Sequence, residues 1–346
     1  MAEPFRIALD RGFLNERGEL AWGDIGIGAL ERAENIQLEF LADRVAELSP
    51  AIIARYQGLI LGGVRVTGGT FASAAENLIV ISRAGVGYDL IDVDACTAND
   101  VALCTTPSAS KHAVASASFA YVLMLAKRLP DKDRLVRAGN WADRGAYCGN
   151  EIYGKTLGIV GFGNTGRELA RLVAPFEMKV LTCDPYVAEA EARQQNVTLT
   201  TLEWVLREAD FVCIHAKLTA ETRHLIGVRE LALMKPSAYF INCARGPIVD
   251  QDALTNALRE GRIAGAGLDV FEFEPLPLDD PLLQLDNVML SPHTAAHTLE
   301  LSIAMGEVNS EQMLAAARGQ PPRDVVNRAV LDRPGFRAKL DRWRAG

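Results

Sequence analysis

Short apolar runs alternate with stretches of helical spacing along most of the chain, the pattern of strands buried on both faces of a parallel sheet and joined by helices. Residues 6–9, 58–61, 78–82 and 101–104 read as buried strands. A long, nearly unbroken apolar stretch over 111–129 predicts a helix packed on most sides, suited to connect two domains. A second strand-and-helix series then runs from Thr156 to His293, with strands over 156–160, 179–183, 211–214, 238–241, 265–270 and 288–290. Residues 298–318 are strongly helical and stop at Gly319 and two prolines. The two strand series predict an α/β protein with two doubly wound parallel-sheet domains, and a ligand is expected at the carboxyl ends of the strands.

Where the first strand of the second series meets its helix, the chain reads Val160-Gly161-Phe162-Gly163-Asn164-Thr165-Gly166. This G-x-G-x-x-G spacing builds a dinucleotide site. Gly161 permits a tight turn, Gly163 leaves room for a pyrophosphate, and Gly166 lets the helix pack close to the strand with its N-terminus toward the phosphates. About 20 residues on, Asp184 ends the next strand, where a carboxylate accepts hydrogen bonds from ribose hydroxyls. Pro185 and Tyr186 follow it, so no arginine is at hand to neutralise a 2′-phosphate, and NAD is favoured over NADP.

With 346 residues, the length fits about two domains. A net charge of −8 without any Lys/Arg-rich run argues against a nucleic-acid partner. The start shows no signal-peptide pattern and no apolar run has the length of a membrane span, so a cytoplasmic protein with no membrane partner is expected. Six cysteines lie singly, with no C-x-x-C pair, which suits free thiols in a reducing compartment. The histidines show no metal-ligand spacing, and no metal is predicted.

Three strand-end residues of the second domain supply what hydride exchange on a 2-oxo or 2-hydroxy acid requires. Arg245, in Asn242-Cys243-Ala244-Arg245-Gly246, suits paired hydrogen bonds to a substrate carboxylate. His293, in Ser291-Pro292-His293-Thr294, suits proton exchange with the substrate oxygen. Glu274 suits a partner that orients the imidazole and fixes its tautomer. Glu272 is a competing candidate. If both glutamates continued the preceding strand they would share a face, and Pro275 favours Glu274 as the loop residue aimed at a cleft.

Together with Arg83-Ala84-Gly85-Val86-Gly87-Tyr88-Asp89, Thr106-Pro107, 210–215, 221–226 and Gly267-Leu268-Asp269-Val270-Phe271, these strings resemble the D-isomer-specific 2-hydroxyacid dehydrogenase family over nearly the whole chain. That family includes phosphoglycerate dehydrogenase and the glyoxylate and hydroxypyruvate reductases. The resemblance implies a Rossmann NAD-binding domain, 108–297, inserted in a flavodoxin-like substrate-binding domain formed by 1–107 and 298–346. It implies that Arg83 and the backbone from Gly85 to Gly87 hold the substrate carboxylate, with Val86 near the nicotinamide. It implies further that Asn164 and Thr165 meet the pyrophosphate and that Ala216, Cys243 and Arg245 line the nicotinamide half. Asp269 would bind the carboxamide, and residues from His293 to Ala296 would close over the ring. A homodimer is also implied.

Departures from the family's patterns narrow the reading. Glu274 stands where formate dehydrogenases have glutamine, and Val86 where phosphite dehydrogenase has lysine. Phosphoglycerate-type members supply an arginine for the phosphate at the end of this strand, where this chain reads Leu61-Gly62-Gly63-Val64-Arg65; Arg65 is expected as an exposed loop residue that only a shifted loop would bring to the cleft, so a non-phosphorylated acid is favoured. Ser116 replaces a usual glutamate and Lys217 a usual proline. His297 is unusual four positions after the histidine, and either faces the substrate or sits in solvent at a helix start. The expected function is interconversion of a D-2-hydroxy acid and its 2-oxo acid with NAD. The alternatives are an NADH-sensing protein like the C-terminal-binding corepressors, or a dehydrogenase of a sugar-derived acid.

Overall fold

A computed structural model describes residues 3–72 and 75–344. The chain divides into two compact units, Met1–Ser110 with His297–Gly346, and Lys111–Ala296.

The first unit holds a five-stranded sheet of β1 (Phe5–Leu9), β2 (Ile36–Phe40), β3 (Gly58–Leu61), β4 (Val80–Arg83) and β5 (Ala102–Cys104). The order is β2-β1-β3-β4-β5 with every pairing parallel, the flavodoxin-like arrangement. The pleat sorts its side chains into two cores. Phe5, Ile7, Leu9, Ile60 and Val80 face one, and Ala8, Leu59, Leu61 and Ile81 the other. Strand β2 was not predicted, because its residues alternate apolar and polar at a half-buried edge.

The second unit holds a seven-stranded parallel sheet of β6 (Thr156–Val160), β7 (Lys179–Cys183), β8 (Thr198–Leu199), β9 (Phe211–Ile214), β10 (Tyr239–Asn242), β11 (Gly265–Leu268) and β12 (Val288–Leu290). The order β12-β11-β10-β9-β6-β7-β8 is that of a Rossmann domain with a seventh strand. Again the pleat splits the core, with Leu157, Ile159, Phe211, Cys213 and Ile241 on one face and Val160, Val212, Ile214 and Phe240 on the other. The two doubly wound sheets are those expected.

Some boundaries differ from expectation. The long helix α1 runs Pro107–Lys127, with proline in its first turn, and ends where Arg128 takes a left-handed conformation (φ 51°). Strand β11 stops at Leu268 rather than continuing to 270, so Asp269, Glu272 and Glu274 all belong to the loop beyond it. Glu272 and Glu274 therefore share no strand face, and Glu274 is a loop residue as expected. The helices α2 (Asn164–Val173), α3 (Gln251–Arg259), α4 (Leu299–Ala317) and α5 (Pro334–Asp341) follow. Asp250 caps α3 through the Ala253 N–H (2.9 Å), and Thr298 caps α4 through the Leu301 N–H (3.1 Å).

Candidate active site

In the second unit, β6 and β9 are neighbours from which the strand order runs in opposite directions, the position at which open α/β sheets bind ligands. Gly161 turns the chain there with φ +94°, and a Cβ on it would lie 2.5 Å from the Ala216 N. A Cβ on Gly166 would lie 2.4 Å from the Gly161 carbonyl oxygen, whereas one on Gly163 would meet nothing within 4 Å. Helix α2 starts at Asn164 and Thr165 with no side chain capping its N-terminus, leaving its first N–H groups directed out of the helix end. Asp184 accepts from the Phe162 N–H (2.8 Å) and the Tyr186 N–H (2.9 Å), which fixes its carboxylate beside the glycine turn. His215 follows β9, and its Nε2 is buried without a partner among the described residues. Burial holds this imidazole down to about 4, so it is neutral. A cradle that a Cβ would fill, an uncapped helix N-terminus and an orphaned buried donor or acceptor fit a dinucleotide pyrophosphate and its ribose.

The loops beyond β10, β11 and β12 carry the remaining groups. Asn242 shapes the first, its amide donating to the Arg245 carbonyl (3.0 Å) and accepting from the Ala244 N–H (3.0 Å). A Cβ on Gly246 would lie 1.9 Å from the Phe271 carbonyl, so glycine is what lets the Arg245 loop press onto the loop holding Glu274. Burial alone would push the Glu274 carboxyl up. The hydrogen bonds from His293 and the Phe271 N–H, with the charges of His293 and Arg245, outweigh this and hold it below the usual carboxylate range. Its Oε1 accepts from the Phe271 N–H (3.0 Å) and its Oε2 lies 2.7 Å from His293 Nδ1. An ionised carboxylate only accepts, so Nδ1 carries the hydrogen and Nε2 is the nitrogen left for chemistry. Both side chains stay open to a ligand, 42% exposed for His293 and 35% for Glu274. Glu272 turns elsewhere, to His224 Nε2 at 2.8 Å.

Asp269, just past β11, accepts at one oxygen from the N–H groups of Thr294 (2.8 Å) and Ala295 (2.9 Å) and from the Ser291 hydroxyl. It thereby holds the segment from His293 toward Ala296. Cys243 lies just past β10, and burial pushes its thiol up to about 12, leaving it protonated. Ser291 and Tyr121, whose hydroxyls are 2.6 Å apart, escaped the sequence reading. The available signals were a hydroxyl two places before His293 and a tyrosine within the apolar 119–126 stretch of the long helix.

In the first unit, Arg83 ends β4 and donates to the Ala84 carbonyl. Gly85 adopts φ +131° and exchanges two hydrogen bonds with Thr106, its N–H to Oγ1 (2.9 Å) and its carbonyl to the Thr106 N–H (3.0 Å). This pins the 85–87 loop and leaves Val86 45% exposed. His297 is exposed just before the helix cap Thr298 and packs edge-on against Trp22 with ring centroids 4.5 Å apart. Among the described residues no group of His, Cys, Asp and Glu is arranged to hold a metal, and no helix is long and apolar enough to cross a membrane.

Residues 119–295 match the D-isomer specific 2-hydroxyacid dehydrogenase, NAD binding domain. The chain is 42% identical over 268 residues to a glyoxylate reductase of Korarchaeum cryptofilum, covering 76% of this chain and 81% of that one. It is 38% identical over 302 residues to a D-3-phosphoglycerate dehydrogenase of Methanocaldococcus jannaschii, covering 87% of this chain but only 56% of that longer protein. A D-lactate dehydrogenase of Aquifex aeolicus, solved with NAD and lactic acid, superposes with a TM-score of 0.78 at 27% identity, over 90% of this chain and 96% of that one. The chain thus belongs to the D-isomer-specific 2-hydroxyacid dehydrogenases, NAD-dependent enzymes that interconvert D-2-hydroxy acids and 2-oxo acids.

Proposed function

We propose that this protein reduces a non-phosphorylated 2-oxo acid to the D-2-hydroxy acid, with Arg245 holding the carboxylate and His293, backed by Glu274, giving the proton. The observation that carries the reading is the 2.7 Å contact of His293 Nδ1 with Glu274, with the Arg245 charge beside the same carboxylate. Bound NADH supplies the hydride to the C2 carbon. The carbonyl oxygen, gaining the electron pair of the C=O bond, takes a proton from His293 Nε2, and the Glu274 carboxylate stabilises the imidazolium before transfer. The reverse direction uses the same nitrogen as base.

The unit formed by 1–107 and 298–346 is proposed to bind the acid, through Arg83 and the Gly85–Val86–Gly87 backbone, while 108–297 binds NAD and ends on His297, which is proposed to contact the acid. Support for a non-phosphorylated substrate comes from Asp10, buried at the end of β1, whose carboxylate accepts the Gly12 N–H (2.6 Å) and the Gly62 N–H. A carboxylate at the β1/β3 end repels a second anionic group there. A homodimer in the cytoplasm completes the proposal, resting on the family resemblance and on six free cysteines. A mass of one chain in light scattering refutes the dimer.

The test is oxidation of NADH and NADPH against glyoxylate, hydroxypyruvate, pyruvate, phenylpyruvate and 3-phosphohydroxypyruvate. Turnover with NADH on a non-phosphorylated acid supports the reading. Silence across the panel despite NADH binding, or preference for the phosphorylated acid, contradicts it.

A further inference from the structure

We propose that Ser291 and Tyr121 are positioning residues for His293, acting as a one-directional hydroxyl chain onto Asp269. This deepens the reading above and rests on it for its kinetic half. His293 has φ +56°, a left-handed conformation that disfavours any residue with a Cβ and persists only where its neighbours impose it. The imposing groups are on both sides of it. Before it, the Ser291 N–H donates to the Leu268 carbonyl (3.0 Å), and the Ser291 carbonyl accepts the His293 N–H (3.0 Å). After it, the Thr294 and Ala295 N–H groups converge on one oxygen of Asp269. The Ser291 hydroxyl donates to that same oxygen, so both flanks of the strained residue are tied to a single buried atom.

Polarity follows from the chemistry. Ser291 spends its only hydroxyl hydrogen on the carboxylate, so across the 2.6 Å contact its oxygen accepts from the Tyr121 hydroxyl. Burial pushes the Tyr121 phenol up to about 12, which keeps that donor protonated through the working range. Tyr121 stands on α1 and Asp269 has its own N–H fixed to the Asn242 carbonyl (3.0 Å), so the chain spans two rigid anchors. Glu274 sets the ring of His293 and the Tyr121–Ser291–Asp269 chain sets its backbone. Neither hydroxyl is assigned a contact with substrate.

Tyr121→Phe, Ser291→Ala, Ser291→Thr and the Tyr121→Phe/Ser291→Ala pair test this in the full-length protein, by steady-state kinetics with NADH and by amide hydrogen exchange. Ser291→Ala is expected to lower kcat about 30-fold and Tyr121→Phe about 5-fold, with KM and NADH affinity changed less than 3-fold. The double variant should be no slower than Ser291→Ala, since tyrosine acts through serine. Ser291→Thr should recover most of the rate. Exchange at Thr294 and Ala295 should rise in Ser291→Ala and Tyr121→Phe but not in Ser291→Thr, a readout that needs no turnover. Should Ser291→Ala fail to fold, Tyr121→Phe and Ser291→Thr carry the test. Independent, multiplying losses in the double variant, or unchanged exchange at Thr294 and Ala295, overturn the proposal. A wild-type protein that is silent on every 2-oxo acid, but whose variants show the faster exchange, overturns the proposed reaction and leaves the positioning chain standing.

Discussion

The two units share a doubly wound plan and treat the switch point of their sheets in opposite ways. In the first, the β1/β3 end is stitched shut by the chain itself, with the Asp10 carboxylate receiving the Gly12 and Gly62 N–H groups. In the second, Asp184 and Cys183 take the Phe162 and Gly161 N–H groups, but Gly163 leaves open space and no side chain caps the first N–H groups of the helix at the β6/β9 end. The same contrast extends to their interiors. The first unit is assembled from two separated segments of chain, and buried polar side chains of the later one clamp the earlier. Asn327 donates to the Val101 carbonyl and accepts the Leu103 N–H (both 2.9 Å), and Gln312 donates to the Thr105 carbonyl (2.9 Å). Lys339 donates to the carbonyls of Ala75, Leu78, Asn99 and Asp100 at 2.7–3.1 Å. The second unit is one continuous segment whose sheet is held largely by apolar packing. Topology alone therefore does not make a phosphate site. What decides is whether the donors at the switch point are already satisfied from within.

The contrast breaks most visibly at Lys339. Lys339→Met leaves the buried Leu78 carbonyl and the half-buried carbonyls of Ala75, Asn99 and Asp100 without this donor and is expected to cost about 3 kcal/mol in urea unfolding. A loss below 1 kcal/mol shows the clamp to be dispensable. Next comes Gly161→Ala, which places a Cβ 2.5 Å from the Ala216 N at φ +94°. NADH affinity by fluorescence titration is expected to fall about 100-fold. Affinity within a factor of three of wild type means the open switch point is not where the cofactor binds. The smallest effect is at Asp10. Asp10→Asn keeps one acceptor oxygen and turns an amide N–H₂ toward the other glycine N–H, a cost of about 1–2 kcal/mol with NADH affinity unchanged. Burial raises the Asp10 carboxyl, only partly offset by the Gly62 and Gly12 N–H groups and the Arg83 charge, so its folded value lies above the ordinary 3.8. Its contribution is then fully present below 3.8 and declines as pH rises through the folded value. That slope should vanish in Asp10→Asn, and its survival there assigns it to another group.

Both sheets were legible from the chain because their central strands are fully buried and read as continuous apolar runs, as in Phe211-Val212-Cys213-Ile214. Strand β2 was not, since Ile36-Gln37-Leu38-Glu39-Phe40 alternates at an edge, and β8 is too short to leave a pattern. Among the chemical groups, Arg245, Glu274 and His293 stood out because each is a reactive side chain at a strand end. The pairing of Glu274 rather than Glu272 was reached through a strand that stops earlier than supposed. Geometry separates them by the partners they take, His293 for one and His224 for the other. Tyr121, Ser291 and Lys339 were not singled out because their roles lie in contacts across the fold, such as the one between the first two over a separation of 170 residues, and local spacing gives only a faint signal of those.

The most direct test of the central claim is turnover by His293→Ala beside its NADH affinity, measured on whichever 2-oxo acid the wild-type protein reduces fastest. The account predicts a loss of kcat of about 10³-fold with NADH bound as in wild type, because proton donation is removed while the glycine cradle is untouched. Turnover within a factor of ten of wild type would contradict the assignment of His293 as the acid.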